Sequence, residues 1–416
     1  MTSSTAAVPG AADLILKGGR VVDPSQDIDA TLDVAIRGDR IVGLAPSIEA
    51  GNARVVDVNG AIVAPGLIDL HVHVYRHLTD FGLPTDDAGV NSGCTTVVDQ
   101  GSCGAWTFDG FKASAIDPAI TETFVFLSVN LTGALRGCKG GPFDRDPKYV
   151  DTDVMRRFIE KFPHIIRGIK AHGESGSWSN WGDVMLRRAR EIADRMHLPM
   201  YLHTGQLFPV NEQNRPDPLT VLPQVLNYVR PGDLLAHCFS CRDDGILGER
   251  QKPCPELIEA VASGVHLDIG HGINFSFDTA RRMMDAGLFP YTISTDLHGD
   301  FHSHDNDTTL DYSLCGTMSK LLALGFDIPF VIRATTQHPA EVLRLADEIG
   351  TLKVGTRADI TVLDAIQGDW VFKDCKNLEL IGKQRLVPRL VIRNGRAVTP
   401  TRRLLRDICA PEMMSA

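Results

Sequence analysis

The feature that most constrains this chain is a recurring unit. Between residues 62 and 296, short apolar runs end one after another at His73, Asp99, Asn130, Lys170, His203, His237, Gly270 and Asp296. Each end is followed by the next after about the length of one helix and one strand. Helical periodicity fills the gaps. It is clearest over residues 181–197, where Val184, Leu186, Ala189, Ile192 and Ala193 carry the apolar positions, and over residues 277–286. Eight apolar strands alternating with amphipathic helices call for an α/β fold, a (β/α)8 barrel of the TIM type. An open doubly wound sheet is the alternative, but it gives no reason for metal-binding residue types to fall at the strand ends. In a barrel those ends ring one face, where active sites are built.

The two ends of the chain read differently. Residues 12–59 alternate apolar and polar side chains, as in Leu14-Ile15-Leu16-Lys17 and Leu32-Asp33-Val34-Ala35-Ile36, between the turn signals Asp23-Pro24 and Gly38-Asp39. The pattern returns in Ala358-Asp359-Ile360-Thr361-Val362-Leu363 and Leu390-Val391-Ile392-Arg393. Neither stretch could build a core alone. The expected division is a small β-sandwich from residues 1–60 plus 353–416, with the metal-binding barrel over 61–352.

Charge and cysteine usage narrow the partners. The net charge is -10 and the basic residues are not clustered, which excludes a nucleic-acid surface. Arg402, Arg403 and Arg406 are expected to form a solvated tail. The 9 cysteines are scattered, apart from Cys238-Phe239-Ser240-Cys241, which has no second pair to complete a zinc knuckle. A reducing, cytoplasmic setting is expected. No apolar run approaches the roughly 18 residues of a spanning helix, and residues 1–12 lack the basic and apolar regions of a leader, so no membrane partner is expected. The expected partners are a small-molecule substrate and further copies of the chain in a homo-oligomer.

The strand ends carry the chemistry. His71-Val72-His73 closes the first barrel strand, and side chains two apart on a strand share a face, so both imidazoles can meet one cation. Taken singly, each is as readily a surface or core histidine. Three further strands end in His203, His237 and Asp296, however, and another ends in Lys170. A lysine desolvated beside metals is driven toward its neutral amine. That amine can add carbon dioxide to give a carbamate, an oxygen ligand able to bridge two cations.

Together, His71-x-His73, the strand-four lysine, the strand-five and strand-six histidines and the strand-eight aspartate resemble the binuclear metal-dependent amidohydrolase superfamily. The lead-in Val63-Ala64-Pro65-Gly66-Leu67-Ile68-Asp69 and the two-ended sandwich also match. The phrases His71-Val72-His73-Val74-Tyr75, Gly168-Ile169-Lys170-Ala171-His172 and Thr295-Asp296-Leu297-His298-Gly299 are similar to its dihydroorotase-like amidohydrolase/deacetylase subgroup. The resemblance implies one metal held by His71, His73 and Asp296 and a second held by His203 and His237. Carboxylated Lys170 and a hydroxide would bridge them. Two divalent ions are implied, with zinc the default; nickel, cobalt or manganese suit the same ligands.

The implied reaction is attack of the bridging hydroxide on an amide or ester carbonyl, with Asp296 as the catalytic proton shuttle. In dihydroorotases an arginine two residues after the His-x-His grips the substrate carboxylate; here that position is Tyr75. Deacetylation of N-acyl amino acids or O-acyl hydroxy acids is therefore the leading expectation. A dihydroorotase- or hydantoinase-type cyclic-amide hydrolase is the alternative. A non-catalytic scaffold relative is disfavoured because every ligand position is filled. Substrate contacts are expected from His271, Tyr75 and Arg136, with His172 supporting the ligands. His302-Ser303-His304 reads as a solvated loop.

Overall fold

The computed structural model describes residues 12–135, 146–299 and 312–401. Arg136, His302, Ser303, His304, Arg402, Arg403 and Arg406 lie outside the described residues.

Five strands open the chain: β1 (Leu14–Asp23), β2 (Ile28–Arg37), β3 (Arg40–Ala45), β4 (Arg54–Asp57) and β5 (Ile62–Pro65). The barrel strands follow as β6 (Leu67–Val72), β7 (Cys94–Gln100), β8 (Glu122–Ser128), β9 (Ile166–Gly173), β10 (Met200–Thr204), β11 (Leu234–Leu235) and β12 (His266–Leu267). The chain returns through β13 (Ile360–Lys373), β14 (Glu379–Arg393) and β15 (Arg396–Val398). Terminal strands form one mixed sheet in the order β15-β14-β13-β5-β1-β2-β3, with β4 alongside β1. β5 sits between β1 and β13, so the strand just before the barrel joins both ends of the chain. Alternation explains the sheet: Leu14, Leu16, Val34, Ile36, Ile360, Val362 and Ile392 bury into one cluster.

β6 to β12 pair in sequence order, all parallel. The eighth position is filled by residues 291–297, which make single bridges rather than a regular strand, Asp268 with Thr292 and Val72 with Leu297. Backbone bonds from Ile269 N to Thr292 O (3.1 Å) and from His73 N to Leu297 O (2.9 Å) close the ring on both sides. Side chains from β6, β7, β8, β10 and β11 meet in one buried cluster, with Phe126 and Tyr201 rings 6.1 Å apart across the unadjacent strands β8 and β10. The helices arise where periodicity and caps agree. Val184–Met196 buries Met185, Leu186, Ala189, Ile192 and Ala193, and Phe277–Asp285 starts at Ser276, whose side chain accepts from Thr279 N.

The late barrel strands are short for a local reason. His237 (φ 62°) and Asp296 (φ 54°) adopt left-handed backbone, which costs a non-glycine residue about 1 kcal/mol or more and breaks the ladder. Surrounding hydrogen bonds hold both there: His237 O accepts from Ser240 N, and Thr295 is fastened to Asp69. The strain lies where side chains must turn toward the barrel axis.

Candidate metal centre

Three side chains converge at the barrel mouth. His71 Nε2 and His73 Nε2 lie 3.1 Å and 3.2 Å from the same oxygen, Asp296 Oδ1. All their ligand atoms fall within 4.8 Å of one another, a group able to hold a metal ion. Asp69 registers the strands that bring them together. Its Oδ1 accepts from His71 N (3.2 Å) and Thr295 N (3.1 Å), and its Oδ2 accepts from Thr295 Oγ1 (2.6 Å). Burial raises the Asp69 carboxyl to about 7, against the pull of those hydrogen bonds.

Proton positions follow from the outer partners. The Tyr201 hydroxyl donates its one proton to Asp268 Oδ2 (2.5 Å), so at 2.9 Å from His71 Nδ1 it must accept. Ser102 Oγ lies 2.9 Å from His73 Nδ1, and Ser102 N donates to Asp99 Oδ1 (2.8 Å). At His71 a hydroxyl thus links the imidazole to a buried carboxylate, and Nδ1 carries the ring proton. Burial, together with the nearby Lys170 charge, holds His71 well below its ordinary value and hence neutral. Its Nε2 lone pair therefore faces the Asp296 oxygen with no proton between them. Such an arrangement is repulsive until a cation enters it, and the donor set fits a divalent metal.

His203 and His237 repeat the pattern. His237 Nδ1 donates to Gly270 O (2.7 Å) and His203 Nε2 to Gly205 O (3.0 Å), leaving His237 Nε2 and His203 Nδ1 facing each other at 2.8 Å. Burial lowers both pKa values, so two neutral rings present bare lone pairs to a common point. Gly270 makes this approach possible: at φ 42°, a Cβ there would lie 3.0 Å from His237 Nδ1 and 3.2 Å from His71 Nδ1. Lys170 Nζ sits 3.4 Å from His71 Nε2 and 4.6 Å from the Tyr201 ring centre. Burial lowers its amine to about 8, although Asp296, Asp268 and Asp99 oppose the shift.

Asp296 Oδ2 is the freer oxygen, 4.0 Å from His237 Nε2. A cavity of about 70 Å³ opens onto this group, lined by His71, His73, Lys170, His203 and Asp296 together with Phe81, Gln100, His172, Phe208 and His298. A larger hollow of about 380 Å³ lies at the opposite end of the barrel, by Pro199, Asp233, His266 and Tyr291 where strands begin. It is remote from the ligand set.

The comparisons with known proteins agree with this geometry. Residues 257–398 match the model of the Amidohydrolase family. A deacetylase of Agrobacterium fabrum is 33% identical over 383 residues, covering 91% of this chain and 89% of that protein. A deacetylase of Brucella anthropi is also 33% identical, covering 91% of this chain and 90% of its own. A solved structure of a dihydroorotase superposes with a TM-score of 0.81 at 30% identity, over 93% of this chain and 97% of that one. The chain belongs to the amidohydrolase superfamily.

Two of the expected substrate contacts in this amidohydrolase point elsewhere. After β6 the chain turns, Thr79 N bonding Tyr75 O and Leu83 N bonding His73 O (3.0 Å each), so Tyr75 does not continue the strand. The Tyr75 hydroxyl donates to Thr107 O (3.1 Å) and its ring packs edge-on against Phe111. His271 donates from Nδ1 to Gly272 O, accepts from Lys320 Nζ (3.0 Å) and stacks on Phe275. Neither lines the cavity. His172 does line it, its ring 5.4 Å from that of His203. Cys103 is fully buried, with its thiol pushed up by that burial, which leaves it unsuited to nucleophilic attack.

Tyr201 and Asp268 are the members that sequence reasoning passed over. Parity offered one signal, since Tyr201 is two residues before His203 on β10. Tyr201→Phe should leave the His71 Nδ1 proton buried and unpaired, costing about 1–3 kcal/mol of stability. It should also weaken divalent-metal affinity about 10–100-fold. Chelator competition and urea unfolding measure the two effects, and unchanged affinity would exclude the relay.

Proposed function

We propose that this amidohydrolase removes the acyl group from small acylated compounds, N-acyl amino acids or O-acyl hydroxy acids, using two divalent cations. Deacetylase relatives matching 91% of the chain support the reaction class. The observation that weighs against dihydroorotate as the substrate is the direction of Tyr75. Among the described residues lining the cavity there is no arginine, and Tyr75, where a carboxylate-binding arginine would stand, turns toward Thr107. The lining instead offers Phe81, Leu207 and Phe208 to an acyl chain.

His71, His73 and Asp296 would hold one cation, and His203, His237 and a carbamate on Lys170 the second. Zinc is the default occupant of this donor set. Such ions supply Lewis acidity and a water that ionises near neutral pH. The chain's own groups do the rest. Asp296, which lines the cavity, takes the proton of the attacking water and returns it to the leaving nitrogen or oxygen. The Tyr201 relay keeps His71 in one tautomer throughout. Phe81, Leu207 and Phe208 exclude bulk water from the carbonyl. Products are a carboxylic acid and an amine or alcohol.

A dihydroorotase- or hydantoinase-type reading is favoured by the dihydroorotase structure at 30% identity. Loss of a charge-assisted hydrogen bond to the cyclic substrate's carboxylate is worth roughly 1.5–3 kcal/mol, about one to two decades in binding. Dihydroorotate should therefore lose about tenfold or more in kcat/KM, whereas hydantoin, which has no carboxylate, is untouched by that loss; N-acetyl amino acids and O-acetyl hydroxy acids, favoured by the deacetylase relatives, should exceed both. Faster turnover of the cyclic compounds would replace the deacylase reading.

A further inference from the structure

We infer that Cys241 and Cys375 form a redox-convertible pair whose oxidation fastens the loop after the sixth barrel strand to the terminal sheet. Their sulfur atoms lie 3.1 Å apart although they are separated by 134 residues in sequence. A disulfide requires about 2.05 Å, so the sulfurs need approach by only about an ångström, within reach of side-chain rotation. Both residues are free thiols in the structure and part-exposed, open to a small oxidant. The other five described cysteines are buried.

The backbone around the pair is already fixed. Cys241 N donates to Asn274 O and Cys375 N to Phe275 O, each at 2.9 Å, so two neighbouring carbonyls hold the two cysteines side by side. Ser240 bridges Phe275, and Ser240 N donates to His237 O. On the sheet side, Asp374 ends the β13–β14 turn by accepting from Lys376 N and Leu378 N, and it also accepts from Phe277 N at the start of the following barrel helix. A bond between the sulfurs would thus tie the segment bearing His237 to a turn of the terminal sheet.

The environment divides the labour. The Cys375 thiol donates to Cys241 sulfur and, with Lys376 and Arg242 nearby, lowers Cys241 to about 6 against the effect of burial. Cys375, the donor beside a thiolate, is raised. With a hydroperoxide as oxidant, the Cys241 thiolate attacks one peroxide oxygen, the O–O bond breaks and hydroxide leaves, giving a sulfenic acid. Cys375 sulfur then attacks Cys241 sulfur, the S–OH bond breaks, and the Cys375 proton departs in water. The hydroxide takes a proton from solvent. Two thiols and one hydrogen peroxide become one disulfide and two waters, and a dithiol reductant reverses the change.

The test uses the full-length, metal-loaded protein treated with hydrogen peroxide, alkylated, and digested for mass spectrometry. Expected is loss of two alkylatable thiols per chain, a linked peptide joining Cys241 to Cys375, and recovery of both thiols with a dithiol. The oxidised protein should melt at a higher temperature than the reduced one, because the bridge closes a long loop of the unfolded chain. Neither Cys241→Ser nor Cys375→Ser should show this rise. Cys375→Ser should instead trap a dimedone-reactive sulfenic acid at Cys241. Persistence of free Cys375 while Cys241 passes to sulfinic acid, a bridge to any other cysteine, or a bridge between chains would overturn the inference. The outcome is read in thiols and melting, so it stands or falls separately from the acyl-hydrolase reading.

Discussion

Asp296→Asn is expected to lower kcat by about 10²–10⁴-fold, the range for losing a positioned acid–base group. The substitution preserves volume and removes the negative charge that the two histidine nitrogens face, at 3.1 Å and 3.2 Å. It therefore removes the proton acceptor and one metal ligand together. His71→Asn separates the two functions: it leaves Asp296 in place but deletes the ring whose tautomer Tyr201 and Asp268 fix. Wild-type protein should carry close to two divalent cations per chain, and each variant should carry fewer. Elemental analysis of the same preparations used for kinetics checks this. Full metal content with unimpaired turnover in both variants would sink the assignment of the first metal's ligands and of the base.

Much of this centre was legible because strand geometry is periodic. His71 and His73 share a face by a spacing of two, and the apolar runs before His203, His237 and Asp296 mark buried parallel strands that end at one rim. The ladder itself was not legible to its ends. β11 and β12 pair over two residues each and residues 291–297 make only bridges, with left-handed backbone at His237, Gly270 and Asp296 just beyond them. No local propensity announces that strain; the surrounding contacts impose it. Tyr75 was expected at the site only from the resemblance, and its direction follows from β6 stopping at Val72, after which the chain turns. His271 was pulled aside by Lys320, from helix Leu314–Ala323, a long-range partner that spacing within one βα unit cannot reveal. Asp268 was hidden in the same way, since its role depends on Tyr201, Thr292 and Ser294 from other strands.

Lys170→Ala should abolish most activity, and short carboxylic acids added in solution should restore part of it. The reasoning starts from a buried amine that lies 3.4 Å from a histidine nitrogen and is lowered by burial to about 8 from an ordinary 10.5. Folding then favours the neutral amine. The unfolded chain binds more protons at this site between about pH 8 and 10.5, so the destabilisation from burying the ammonium is fully present below pH 8 and is withdrawn as pH rises through that window. The neutral amine is also the form that adds carbon dioxide. Metal-free protein, depleted of bicarbonate, should accordingly be activated by bicarbonate plus zinc with an efficiency that climbs through about pH 8. Gly101 leaves room for the side chain, since a Cβ there would press on Lys170 Cγ at 2.8 Å; Gly101→Ala should depress the same activation. Alanine at position 170 removes the nitrogen but leaves the space in which acetate or formate can supply ligand oxygens. Density for the lysine tip in a metal-loaded crystal decides the chemistry. A bare ammonium there, or an alanine variant with wild-type turnover and no response to acetate, would rule out the carbamate.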